Sequence, residues 1–203
     1  MKKYILDTNV YIEASKGYYH PDIVPVYWDI LKDLGQKELI NSPKQVRDEI
    51  KIRNRPSQTE NTTEQERFLY DWSRLKGNEC FLKNDLNGIE VFFRQVQTVY
   101  EKVKLEHTKI LQTKNKRFRW PKKEPVSDED MFVIATVLYY QKYVPTHDYV
   151  LVTKETFDLV PRHFKPMKIP HLCKELGIEW MDDFKFIMEI GIKFDSSNYT
   201  YRR

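Results

Sequence analysis

Four acidic residues stand where a parallel α/β chain would need them for chemistry. Asp7 ends the short β-prone run Lys3-Tyr4-Ile5-Leu6. Glu155 follows the apolar run Tyr149–Thr153. Glu49 lies about two turns beyond the helix start Ser42-Pro43, and Asp130 lies in the first turn of an apolar helix, behind Asp128 and Glu129. In an open parallel sheet, ligands collect beyond the carboxyl ends of the strands. Asp7 and Glu155 are expected at that edge, with Glu49 and Asp130 facing it. Carboxylates crowded into one crevice raise one another's pKa unless they share a cation. Hard divalent ions with oxygen ligands meet that need, so Mg2+ or Mn2+ is the expected cofactor.

Each acid also has a plain structural use. Ser127-Asp128-Glu129-Asp130 reads as a capping box, with acids favoured at a helix N-terminus. Glu49 reads as surface charge among Arg47, Asp48 and Lys51, and Glu155 as the cap of a turn. Asp7-Thr8-Asn9 has no comparable local requirement. It is the joint order of the four that points to a site.

The elements that must position them follow from periodicity. After the first strand, Val10–Ala14 begins a helix, and Pro25–Leu34 is a second, with Val26, Ile30, Leu31 and Leu34 on one stripe. Gly35 is placed to close that helix. Glu38–Asn41 reads as a second strand, and Ser42-Pro43 as N-cap and first residue of the helix carrying Glu49. Arg53–Thr63 reads as a loop. Glu64–Lys76 presents Phe68, Leu69, Trp72 and Leu75, and Ile89–Leu111 carries one long apolar stripe. Met131–Tyr139 is apolar nearly all round and so predicts a buried helix. Tyr149–Thr153 predicts a central parallel strand. Short strands are expected at Lys168-Ile169 and Ile178–Trp180, with helices over Pro170–Leu176 and Met181–Glu189. Strands alternating with helices predict an α/β domain built on a doubly wound parallel sheet. A single domain is expected over residues 1–203, with a helical and basic insertion at about 53–125.

Composition narrows the class. Hydrophobic residues make up 40% and charged residues 32% of the 203. No apolar run approaches the roughly 18 residues of a membrane span, and the N-terminal run stops at Asp7, unlike a secretory signal. Cys80 and Cys173 lie far apart, which suits a reduced cytoplasmic compartment better than a disulfide framework. The five His and two Cys lack zinc-finger or metalloprotease spacing. The net charge is +4, yet Arg94–Lys123 alone carries +8 and the remainder −4. A basic segment on a mildly acidic body fits a polyanionic partner. Within it Phe118 and Trp120 stand among Lys116, Arg117, Arg119, Lys122 and Lys123, a pattern that could track a single nucleic-acid strand by stacking and charge.

Ile5-Leu6-Asp7-Thr8-Asn9-Val10, then Ser42-Pro43 leading to Glu49, resembles the PIN-domain nucleases, including longer bacterial members and toxin-type relatives. So does Asp130-Met131-Phe132-Val133-Ile134-Ala135, followed by Val150-Leu151-Val152-Thr153-Lys154-Glu155. The resemblance covers about residues 1–52 and 126–180, and Lys168-Ile169-Pro170 with Cys173 is similar to the C-terminal part of the longer members. Glu155 stands where the family has Asp. The resemblance implies a PIN-like fold and metal-dependent hydrolysis of phosphodiester bonds, as an endoribonuclease. Asp7 would be the central metal ligand, joined by Asp130 and Glu155, with Asp128 as an extra ligand. Glu49 would complete the cluster or hold a water of the cation, and Asn9 and Thr153 would orient the carboxylates. It further implies RNA as partner and, for a toxin, an antitoxin protein. A homodimer would cover any part of the Ile89–Leu111 stripe left bare. The alternative is a catalytically inactive PIN-like module that binds RNA or protein. A dehalogenase-type phosphatase would need a second Asp where Asn9 stands, and a receiver domain an acidic pair where the chain has Lys2 and Lys3.

Overall fold

The computed structural model describes residues 1–55, 64–114, 126–155, 168–193 and 200–201. Strand β1 (Lys2–Leu6) leads into helices α1 (Thr8–Lys16), α2 (Pro25–Gln36), α3 (Lys44–Arg53), α4 (Glu64–Arg74) and α5 (Ile89–Lys114). Then follow α6 (Asp128–Tyr143), β2 (Asp148–Val152), α7 (Ile169–Leu176), β3 (Trp180–Met181) and α8 (Asp183–Glu189). Two short segments, β4 (Ile192–Lys193) and β5 (Thr200–Tyr201), pair antiparallel.

The fold is mixed α/β, with a small sheet of three parallel strands in the order β1-β2-β3. Leu6 is level with Val152, and Val152 with Met181. The next amides continue the ladder, Asp7 N–H donating to Val152 O (2.9 Å) and Thr153 N–H to Met181 O (3.0 Å). The register therefore sets Asp7, Thr153 and Asp182 in one row beyond the carboxyl edge.

Helix α6 is the inner layer. Val133, Ile134, Ala135 and Val137 are fully buried, and the helix packs against β1, β2, α3, α5 and α7. A helix contacted from so many sides needs apolar residues all round, as its sequence shows. Strand β2 is likewise closed on both faces, from Tyr149 to Val152, which accounts for its continuous apolar run.

Helices α4 and α5 belong to the same core as the sheet. Leu69 and Trp72 of α4 are buried with it, as are Val96, Tyr100 and Val103 of α5. Trp72 meets Trp28 edge-on at 4.9 Å, and Phe93 lies 4.5 Å from Phe132. Such aromatic pairs add about 0.5–1.5 kcal/mol each beyond the area they bury. Most of the α5 stripe packs against α6 and α7, while Ile110 near its end is 45% exposed. Leu75 is an exception to the α4 stripe, exposed just past the helix end.

Several local expectations change. Residues 38–41 form no strand: Ile40 makes one isolated parallel bridge to Tyr4, framed by Tyr4 N–H to Leu39 O and Asn41 N–H to Tyr4 O. Ile169 begins α7 rather than ending a strand. Ser42 does not cap α3. Its hydroxyl is buried, donating to Leu6 O at 2.8 Å and meeting Tyr11 Oη at 3.0 Å, and thus fastens the start of α3 to the end of β1. Among the described residues no helix is long and apolar enough to cross a membrane.

Gly35 is the penultimate residue of α2, within its last turn rather than the residue that closes it; the left-handed position is Glu38 (φ 55°). Its lack of a side chain serves the approach of the 3-10 turn Asn78–Cys80. A Cβ there would sit 2.8 Å from Cys80 N and from Glu79 C. Those are backbone atoms and cannot swing aside. Overpacking of about 1–3 kcal/mol outweighs the gain of at most ~1 kcal/mol in helix propensity. Gly35→Ala is therefore expected to lower the thermal midpoint by several degrees; an unchanged or raised midpoint would show that the turn can withdraw.

Candidate active site

Asp7 is the N-cap of α1, yet its side chain makes no capping hydrogen bond. A capping Asp ordinarily contributes about 1 kcal/mol by accepting from its own helix. Here the carboxylate turns away. Its Oδ2 accepts from the Thr153 hydroxyl at 3.0 Å and has a long contact of 3.5 Å with Asn9 Nδ2. Oδ1 is buried and has no donor among the described residues. The residue is fully buried. An acid that forgoes its cap to bury an oxygen without a donor is costly to the fold, which marks the position as one with another use.

The other acids reach the same edge from different elements. Asp130 sits in the first turn of α6, where Ser127 N–H donates to its Oδ2 (2.8 Å) and Asp130 N–H donates back to Ser127 Oγ (3.2 Å). The capping box is real, and it aims the carboxylate as well as ending the helix. Glu155 follows β2; its own N–H donates to Thr153 Oγ1 (3.2 Å), while its Oε2 accepts from Ile169 N–H (2.7 Å), the first residue of α7. The longer arm of Glu is what spans to that helix terminus, where the dipole favours negative charge. Glu49 projects from the middle of α3. Its Oε2 accepts from the Thr8 hydroxyl at 2.5 Å and its Oε1 pairs with Arg53 one turn on.

The electrostatics tie these positions together. Burial pushes the Asp7 carboxyl well above its ordinary pKa, and Asp130, Glu155 and Glu49 push it further, against the Thr153 hydroxyl that lowers it. Asp130 is raised by burial and by Glu49 and Glu129, partly offset by its bonds to Ser127. Glu155 is raised by burial and by Asp130, offset by the Ile169 amide and by Lys168. The Asp7 carboxyl thus lies in the field of the other three acids. Thr153 lies between two of the four and Asn9 beside one. Asp128 is exposed on the first turn of α6. Lys116, Arg117, Phe118, Arg119, Trp120, Lys122 and Lys123, expected to bind nucleic acid, lie outside the described residues.

Two participants, Thr8 and Arg53, carried no expectation, nor did one buried acid beyond β3, Asp183. In the sequence Thr8 is only part of the Asp7-Thr8-Asn9 motif and Arg53 only the start of the expected loop; its spacing of four from Glu49 on one helix is the available signal. Asp183, at the carboxyl end of β3, is almost wholly buried, with Lys154 Nζ 2.8 Å away. The sequence places the strand at Ile178–Trp180 and starts the helix at Met181, which puts Asp183 within that helix rather than at the strand end.

Oxygen-only donors, a negative field and the donor-less Asp7 Oδ1 suit a hard divalent cation by type. Among the described residues, however, no three His, Cys, Asp or Glu side chains are gathered closely enough to enclose one. Each carboxylate is instead drawn to its own hydroxyl, amide or guanidinium.

A family model matches residues 4–194 of the chain. The chain belongs to the DUF4411 family, a domain of unknown function. The DUF4411 match spans all four acids and runs through α4 and α5. No curated protein and no solved structure matches the chain.

The raised Asp7 pKa has a consequence for stability. Above an unfolded carboxyl pKa of about 3.9, the native state retains a proton that the unfolded chain has released. Stability of the metal-free protein therefore falls as pH rises from about 4 toward the folded pKa and stays lower above it. In EDTA at pH 7, Asp7→Asn is expected to be more stable than the parent by about 1–3 kcal/mol, the gap closing at pH 4. Equal thermal midpoints at pH 7 would contradict the buried, shared field.

Proposed function

We propose that this chain is a PIN-like nuclease, dependent on Mg2+ or Mn2+, that hydrolyses phosphodiester bonds in RNA. The observation that carries the reading is the buried Asp7 carboxylate, one oxygen without a donor, in the field of Asp130, Glu155 and Glu49. The order of motifs that resembles the PIN-domain nucleases supports it, as does the row of strand ends that sets Asp7 beside Thr153.

Asp7, Asp130 and Glu155 would hold the cation. When bound, it supplies a lowered pKa for the attacking water and stabilisation of the charge that grows on the phosphoryl group. The chain's own residues prepare the place. Thr153 donates to Asp7 Oδ2 and so leaves Oδ1 as the open oxygen. Ser127 holds Asp130 and Ile169 holds Glu155, each through a backbone amide. Those fixed donors keep the carboxylates aimed when water is displaced by substrate.

A toxin role with an antitoxin partner rests on the resemblance alone. A second reading, a PIN-like module that binds RNA or protein without cutting, draws on the separate anchoring of the acids, no three of which are gathered among the described residues.

Single-stranded RNA incubated with the protein and Mn2+ separates the two. Cleavage that is lost on chelation and lost in Asp7→Asn is expected, whereas binding without products favours the module. Thr153→Ala, which removes the hydroxyl that orients Asp7, is expected to reduce the rate roughly 10–100-fold.

A further inference from the structure

Glu49 differs from the other acids in what surrounds it. Its side chain is only 11% exposed, and both oxygens are engaged, one by Thr8 and one by Arg53. A cation ligated by Glu49 would displace that guanidinium or sit against it, and like charges at contact distance oppose this. Asp7 offers the reverse, a buried oxygen with no donor among the described residues.

Arg53 is the last residue of α3 and its side chain is 44% exposed. A guanidinium carries five N–H donors in a rigid fork. With one nitrogen held by Glu49, the remaining donors have no partner among the described residues and are left for a ligand from solvent. Arginine in this setting is pre-organised for phosphate, since little freedom remains to be lost on binding. The clamp is also indexed to the crevice, because Thr8, which holds the other oxygen of Glu49, is the residue after Asp7.

We propose that Glu49 is a positioning residue rather than a metal ligand, and that it holds Arg53, at the partly exposed end of α3, to bind a phosphate of single-stranded RNA. This rests on the nuclease reading for its substrate, but the two can fail separately.

The experiment uses the full chain in two titrations. Mn2+ alone is followed by calorimetry, and a fluorescent single-stranded RNA oligonucleotide is followed by anisotropy in EDTA across a salt series. Glu49→Gln and Arg53→Gln are expected to bind Mn2+ as the parent does, whereas Asp7→Asn loses affinity by roughly 10-fold or more. Arg53→Gln is expected to weaken the oligonucleotide on the order of tenfold and to make its salt slope shallower by about 0.7. Glu49→Gln weakens it less, through loss of the hold. Arg53→Lys keeps the salt slope while losing the fork, and serves as the variant if Arg53→Gln does not fold. Loss of Mn2+ binding in Glu49→Gln equal to that in Asp7→Asn would overturn the assignment of Glu49. Unchanged oligonucleotide affinity and slope in Arg53→Gln would overturn the clamp. Mn2+ binding that survives Asp7→Asn, together with weakened RNA binding in Arg53→Gln, would remove the nuclease reading and leave the clamp standing.

Discussion

The sheet's register forces a carboxylate into a place where water does not reach. Leu6 and Val152 must be level for the parallel ladder to close, and the ladder continues one amide further, at Asp7. That hydrogen bond fixes the backbone of Asp7 beside Thr153. Whatever side chain stands there is sealed in. A hydrophobic residue would be the stable choice, and Asp is among the least stable. The other features around it answer that one constraint: the hydroxyl of Thr153 on one oxygen, and the tethers that hold the acids at Asp130, Glu155 and Glu49.

Each of the neighbouring acids is restrained by a donor from the chain, and the donors differ in kind. Two are helix-terminal amides, at Ser127 and Ile169, whose dipoles favour negative charge. These offset part of the burial without neutralising the carboxylate. The third, at Glu49, is a full guanidinium charge. Among the four acids, Glu49 alone is paired with a guanidinium among the described residues.

Much of this was legible in the sequence, in particular places. The strand ends at Asp7 and Thr153 stood out because β1 and β2 are apolar runs cut short by polar residues. The cap at Ser127 was legible because its partners are local. The buried helix α6 was legible because no polar face interrupts it. What could not be read is what depends on distant partners. Ser42 has the composition of an N-cap, but a buried bond to Leu6 O holds it instead. Gly35 looks like a helix end until the turn at Cys80 is seen against it. The strand expected at Ile40 is reduced to one bridge, since a single residue meets β1. Arg53 escaped notice because its role depends on how far Glu49 is buried, which no local pattern records.

The account turns on whether Asp7 feels its neighbours as one charged cluster that a cation would relieve. Carbon-13 NMR of the Asp7 carboxyl carbon, titrated with pH in the metal-free protein and again with Mg2+, reads this directly. A midpoint well above the usual carboxylate range, falling sharply once Mg2+ is added, is the predicted result. An ordinary midpoint that Mg2+ leaves in place would contradict it.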